Sequence, residues 1–414
     1  MNKKTLNICY VIGTYPGVSS TFIDREIRMM RQWGLTMHLL SIRQPDQQKS
    51  LSREQQENRR EVIYLLPVRW NEFLRGQLFF LFRKPGTYLG TLLYLLTRRH
   101  PTCRDWAMTV LHFAEGVYAA YLLRGKGVNH LHAHFVDRAA TVALVAGRLL
   151  DIPYSLAVHA GEDIYVHPVL LPEKFAETKF VISCTQYNLD YLQHKLGIPN
   201  LDKKAFAIHH GLDFEHYGTA PQPQTPPLLL SVGRLVEKKG LDYLIRACRR
   251  LRDQGREFVC HIIGSGPEHD RLAALIQELG LQETVFLRGV LPHDQVLEEY
   301  NRATLFALPC VQGQDGSLDG IPNVLPEAMA SWLPVVSTPV SAIPELITDG
   351  VNGLLVPPQD DAALANALAR LLDDAALRQQ LGAQGRRSVA EAFDLNQNVR
   401  AVYDVFMRLG RTSE

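Results

Sequence analysis

Apolar runs too short for helices alternate with segments of helical period along most of the chain. Residues 6–12 form one such run, residues 20–33 repeat apolar positions at helical spacing, and residues 36–42 form the next run. The same grammar recurs at 130–134, 155–159 and 180–184. Buried strands separated by helices predict a parallel, doubly wound sheet, because parallel strands need crossovers and helices then cover both faces. Further along, runs at 228–232, 257–263, 285–288, 305–308 and 334–337 predict a second sheet of the same kind.

Between the two series lies TAPQPQTPP, residues 219–227. Proline fixes φ and removes backbone donors, so this stretch predicts an extended connector and a domain boundary. The organisation expected is α/β, with two Rossmann-like doubly wound domains, 1–218 and 219–389, facing each other across a cleft. A last helical pattern, 396–409, follows the second sheet, and its apolar stripe needs a surface to cover. Residues 390–414 are therefore expected to return to the first domain.

Composition narrows the function classes. The 414 residues are 46% apolar with a formal charge of +1, enough for sizeable cores and without the basic excess a nucleic-acid partner requires. Six cysteines are scattered without C-x-x-C spacing, which fits neither a zinc ribbon nor a disulfide framework and points to a reducing, cytoplasmic setting. The start of the chain reads as a buried strand rather than a signal peptide. The most apolar region, 77–97, is cut by Arg83, Lys84 and Pro85, leaving pieces shorter than the ~20 residues that span a bilayer.

Chemistry concentrates in the second half. In SVGRLVEKKG, residues 231–240, a strand ends at Gly233 and Arg234, and a loop carrying Lys239 leads to a helix. Ligands of open parallel sheets bind beyond the carboxyl ends of strands, and two cations there suit a diphosphate. Spacing alone fits a solvated basic turn equally well. IIGSGP, residues 262–267, adds Gly264 and Gly266, which would let backbone approach a ligand. The third glycine of the dinucleotide fingerprint is missing, which counts against a nicotinamide enzyme.

In DGSLDGIPNVLPEAMA, residues 315–330, Asp319 and Glu327 are separated by seven residues, and Pro326 suits the first turn of a helix. Glu327 would complement the helix dipole or accept hydrogen bonds from a ribose; Asp319 would accept them from a sugar. Both readings stay open on spacing alone.

These motifs, together with the tail PVVSTPVSAIPELITDGVNGLLVPPQD, resemble glycosyltransferase family 4, retaining enzymes of the GT-B fold. In the first half TYPGVSSTFIDREIRMMRQWG, HLHAHFVDRAA, SLAVHAGEDIY and IHHGLDFEHY resemble bacterial members that build exopolysaccharides, including colanic-acid-type enzymes. The resemblance implies a nucleotide-sugar donor, UDP-hexose first and a GDP-sugar next, and a saccharide or lipid-linked acceptor. It assigns Arg234 and Lys239 to the diphosphate, Glu327 to the ribose and Gly17 to a loop facing the phosphates. Gly233, Gly264, Gly266, Asn323, Val324 and Leu325 join the donor site. His159 would contact the donor sugar near the reacting centre, with His134 and Asp163 as neighbours, and the catalytic set becomes His159, Asp319 and Glu327. Where the family has Glu, this chain has Asp319, about one methylene shorter. His209 and His210 are set aside as structural.

What the resemblance implies for mechanism is substitution with retention, in which the leaving phosphate takes the acceptor proton, with no protein nucleophile. No D-x-D motif or histidine tract signals a metal, and none is expected to be required. Arg69, Arg75, Arg83, Lys84, Arg98 and Arg99 interleave with Trp70, Phe73, Phe79, Phe80, Phe82, Tyr88 and Tyr94, a pattern that suits peripheral contact with an anionic membrane or, equally, a helical layer with solvated arginines. A nucleotide-sugar epimerase and a non-catalytic sugar-nucleotide-binding subunit remain as alternatives.

Overall fold

The structure, a computed structural model, describes residues 6–17, 21–45, 53–218 and 224–409. The chain divides into two units, one of Met1–Cys184, Asn188–His210 and Asn396–Glu414, the other of Thr185–Tyr187 and Gly211–Leu395. Of the proline-rich connector, residues 219–223 lie outside the described residues.

The first unit holds a seven-stranded sheet of β1 (Asn7–Thr14), β2 (Thr36–Arg43), β3 (Ile63–Tyr64), β4 (His130–His134), β5 (Tyr154–Val158), β6 (Val181–Ser183) and β7 (Ala205–Ala207). Its order is β3-β2-β1-β4-β5-β6-β7 and every pairing is parallel. Alternation along β4 sets His130, His132 and His134 on one face, all buried. Buried imidazoles need partners. The Ser155 hydroxyl lies 2.7 Å from His130 Nε2 and 2.7 Å from His132 Nδ1, bridging the two.

The helix Leu395–Leu409 packs on this face, as its stripe predicts. The Phe406 ring lies 5.0 Å from His132 and 5.3 Å from Phe180, and Tyr403 meets Trp33 edge-on at 5.5 Å.

Helices α1 (Thr21–Gln32) and α2 (Arg53–Glu61) precede an inserted layer of α3 (Trp70–Arg83), α4 (Pro85–Leu96) and α5 (Cys103–Leu123), and α6 (Arg138–Leu150) follows β4. The apolar region breaks at Lys84 because Pro85 cannot continue α3 but suits the first turn of α4. Thr102 caps α5 through a capping box with Asp105, an arrangement worth about 1 kcal/mol. Among the described residues no helix is long and apolar enough to cross a membrane.

In the second unit the strands are β8 (Leu228–Val232), β9 (Val259–Ile263), β10 (Val285–Gly289), β11 (Leu305–Ala307), β12 (Val335–Ser337) and β13 (Leu354–Leu355). They form a parallel sheet in the order β10-β9-β8-β11-β12-β13. Leu229, Leu230, Phe306, Val335 and Val336 are fully buried, which explains why these strands read as unbroken apolar runs. The sheet order reverses between β8 and β11, the place where open α/β sheets leave a crevice beyond their carboxyl ends.

Candidate functional site

The loop leaving β8 carries Gly233, the exposed Arg234, and a tight turn over Glu237–Lys239. Lys239 is buried, and its Nζ lies 2.7 Å from Asp319 Oδ2, while Lys238 Nζ lies 3.1 Å from Asp319 Oδ1. Burial alone would favour a neutral Lys239, but the Asp319 carboxylate outweighs it and raises the ammonium pKa. For Asp319 burial pushes upward, yet Lys239 and Lys238 hold its pKa below the usual value. The loop thus carries three cations, Arg234, Lys238 and Lys239, against two carboxylates. One of these, Glu237, accepts from the Gln314 backbone at 3.1 Å. Asp319 therefore bridges the two lysines, one on each carboxylate oxygen.

Gly264 and Gly266 support this loop directly. A Cβ on Gly264, whose φ is +140°, would stand 1.9 Å from the Gly233 carbonyl oxygen, and one on Gly266 would stand 2.3 Å from that of Leu235. Two ladder-like bonds close the contact, Gly233 N to Ile263 O and Leu235 N to Ser265 O, both 2.9 Å. The glycines therefore seat the β9 loop on the β8 loop; close approach here is to backbone, where the sequence suggested a ligand.

Beyond β11 the helix Val324–Ala330 begins after Asn323 and carries Glu327 in its first turn, with Pro326 beside it as expected. The Tyr300 hydroxyl donates to Glu327 Oε2 at 3.4 Å. Asn323 is exposed and Val324 half-buried, whereas the Leu325 side chain is fully buried in the core, so only its backbone can meet a ligand.

In the first unit the Gly17 carbonyl accepts from Gln55 Nε2 at 3.1 Å. His159, at the end of β5, is buried between two other imidazoles: its Nε2 lies 3.2 Å from His134 Nδ1 and its Nδ1 lies 3.1 Å from His210 Nε2. Burial, then His210 and His134, hold its pKa well below the usual histidine value, so the ring is neutral. Phe135 takes a left-handed backbone, φ 70°, and sets its ring 4.6 Å from His159. Such strain costs about 1–3 kcal/mol and gathers at functional sites. Asp163 accepts from the Val136 backbone at 2.8 Å, and burial followed by Asp137 lifts its pKa to about 6.

His210 is the residue sequence reasoning set aside and the structure brings back. Its link to His159 spans 51 positions and has no local signal. Lys238 was missed beside Lys239, although EKKG offers two adjacent ammonium groups.

Residues 216–388 match the model of the family described as glycosyl transferases group 1. The chain is 36% identical over 245 residues to a protein of Escherichia coli strain K12 assigned as a colanic acid biosynthesis glycosyltransferase, covering 57% of this chain and 60% of that protein. It is 35% identical over 278 residues to the amylovoran biosynthesis glycosyltransferase of Erwinia amylovora, covering 66% of this chain and 67% of the relative. The chain thus spans 60% to 67% of the length of these curated relatives. Its fold is similar to that of the Anabaena protein HepE solved in complex with UDP, with a TM-score of 0.69 at 14% identity over 98% of this chain and 100% of that one. The chain belongs to the glycosyl transferases group 1 family, and its two parallel-sheet domains are those of the GT-B fold.

Proposed function

We propose that this protein transfers a hexosyl group from a nucleoside-diphosphate sugar to a saccharide or lipid-linked saccharide, in the synthesis of an exopolysaccharide or cell-surface glycan. The observation that carries the reading is the placement of Arg234, Lys239 and Glu327 on the connections leaving β8 and β11, the strands between which the sheet order reverses. Arginine and lysine there suit a diphosphate, and a carboxylate in a first helical turn suits a ribose diol. UDP-hexose is the favoured donor and a GDP-sugar the next; that HepE was solved with UDP and with UDP-glucose supports the uridine choice.

As the glycosidic bond lengthens, negative charge grows on the leaving phosphate, and Arg234 and Lys239 stabilise it. The phosphate accepts the proton of the incoming hydroxyl, the new bond forms on the same face, and the anomeric configuration is retained. The reaction in this form needs no protein nucleophile and no metal. His159 keeps the role that the resemblance implies for it, at the donor sugar.

A lipid carrier for the acceptor is supported by the outer face of the α3–α4 layer. Trp70, Leu74, Leu78 and Phe82 recur every four residues on α3 and are 52% to 76% exposed, and Leu89 and Leu93 on α4 are exposed as well. Exposed Arg75, Arg83, Arg98 and Arg99 accompany them, a combination that favours the inner face of an anionic membrane. Lys84 does not take part, because its Nζ donates to the Leu149 carbonyl at 2.8 Å and pairs with Asp151.

Calorimetry and thermal shift with UDP, GDP, ADP and their hexose conjugates test the donor reading on wild type, Arg234→Ala and Glu327→Ala. Stabilisation by one nucleotide family, insensitive to EDTA and lost in both variants, is expected. Stabilisation by none of them would overturn it.

A further inference from the structure

We infer that His159, Cys184 and His210 form a binding site for a soft divalent cation of the zinc class. Each residue offers one ligand atom, an imidazole nitrogen or Sγ, and the three atoms lie within 4.8 Å of one another. The topology explains the convergence. His159 follows β5, Cys184 follows β6 and His210 lies beyond β7, and these three strands are parallel neighbours, so their carboxyl ends deliver the residues side by side.

The spacing suits an ion. Two nitrogens bound to one tetrahedral zinc at ~2.0–2.1 Å stand about 3.4 Å apart. His159 Nδ1 and His210 Nε2 are 3.1 Å apart, so a shift of a few tenths of an ångström admits a cation between them. Two imidazoles and a thiolate leave a fourth position open, a donor set that zinc accepts readily and hard cations do not.

The surroundings hold the ligands as a metal site requires. His134 Nδ1, 3.2 Å from His159 Nε2, orients that ring with Nδ1 toward His210. Cys184 Sγ accepts from Asn188 Nδ2 at 3.6 Å, and the Tyr165 hydroxyl holds Asn188 in turn. Phe22 stacks on His210 at 4.0 Å and packs against His159 at 4.9 Å, giving the cluster an apolar wall. On binding, the Cys184 thiol releases its proton to solvent, the ring that carries the proton between His159 Nδ1 and His210 Nε2 gives it up there and takes one from solvent on its other nitrogen, and the imidazole contact is exchanged for two metal–nitrogen bonds. The consequence for activity rests on the role proposed for His159: a cation there captures that imidazole, and zinc acts as a reversible inhibitor.

Cobalt(II) titration of the full chain tests the site, since thiolate ligation gives a near-ultraviolet charge-transfer band and tetrahedral geometry gives intense visible absorption. Wild type and Cys103→Ser, which removes the exposed thiol, should both show the band, with zinc displacing the cobalt. Cys184→Ser should lose the band, and His210→Ala should bind cobalt at least about 10-fold more weakly. Absence of the band in wild type, or its persistence in Cys184→Ser, overturns the proposal. Turnover of the nucleotide sugar separates the second claim. Zinc should inhibit wild type and EDTA should restore it; a clear cobalt signature with turnover indifferent to zinc leaves the cation site standing and overturns the role of His159.

Discussion

Lys239 Nζ stands 2.7 Å from Asp319 Oδ2, in an ion pair whose side chains are 11% and 17% exposed. With Lys238 on the other carboxylate oxygen, Asp319 holds two ammonium groups that would otherwise repel each other. Asp319→Asn keeps the shape and removes the counter-charge. It should cost about 2 kcal/mol, less than a fully buried pair because both groups touch solvent. UDP should then restore more of the lost thermal midpoint in the variant than it adds to wild type. An unchanged midpoint in the free variant would contradict this arrangement.

The same pair sets two pH limits. Asp319 has a lowered pKa, so its contribution is present above the ordinary ~3.9 of an aspartate and lost as pH falls through the lower folded value. Lys239 has a raised pKa, so its contribution is present below the ordinary ~10.4 and lost as pH rises through the higher folded value. Urea unfolding of wild type and Asp319→Asn should therefore give a constant difference from about pH 5 to pH 10 that shrinks in stronger acid.

Glu26 behaves in the opposite sense. Burial lifts its pKa to about 7, against the hydrogen bond donated by Tyr10. The folded state then holds a proton that the unfolded state has released. The stability that Glu26 contributes should fall by about 3 kcal/mol as pH rises from 4.5 to 7 and change little beyond. Glu26→Gln should remove that share, so the change in stability between pH 5 and pH 8 should differ between wild type and variant, which chemical denaturation at the two pH values would reveal.

Gly264→Ala should be severe. The added methyl meets the Gly233 carbonyl at 1.9 Å, in a backbone conformation side chains rarely adopt. A loss of at least about 2 kcal/mol is expected, with nucleotide stabilisation lost as the β8 loop is displaced. Gly255→Ala, also at positive φ but in open space, is the matched control and should keep the nucleotide response.

Leu78→Glu with Phe82→Glu should abolish co-sedimentation with anionic vesicles and leave the thermal midpoint within a degree or so, because both side chains are exposed. Equal binding by the double variant would remove the membrane from the account.

Much of the fold was legible because parallel strands buried on both faces are unbroken apolar runs. β4 and β8 match the expected runs residue for residue. The strands not foreseen, β3, β7 and β13, have two or three residues each and owe their existence to a neighbour in the sheet rather than to any period of their own. The placement of Arg234, Lys239 and Glu327 beyond strand ends was legible because each sits next to a local signal, a glycine turn or a proline-marked helix start. The pairing of Asp319 with two lysines was not, since its partners lie about eighty positions away. His210 was missed for the same reason: only the adjacency of β5, β6 and β7 makes it a neighbour of His159.

Phe406 closes the histidine-lined face of the first sheet, packing on His132 and Phe180. A ribosome completes every strand of that sheet long before it reaches this residue. The nascent first unit must therefore wait, with an apolar and imidazole-bearing surface uncovered, until the whole second unit has been synthesised. Order of synthesis and order of completion are opposed, so premature termination anywhere in the second unit would leave the first one unfinished and exposed to chaperones and proteases.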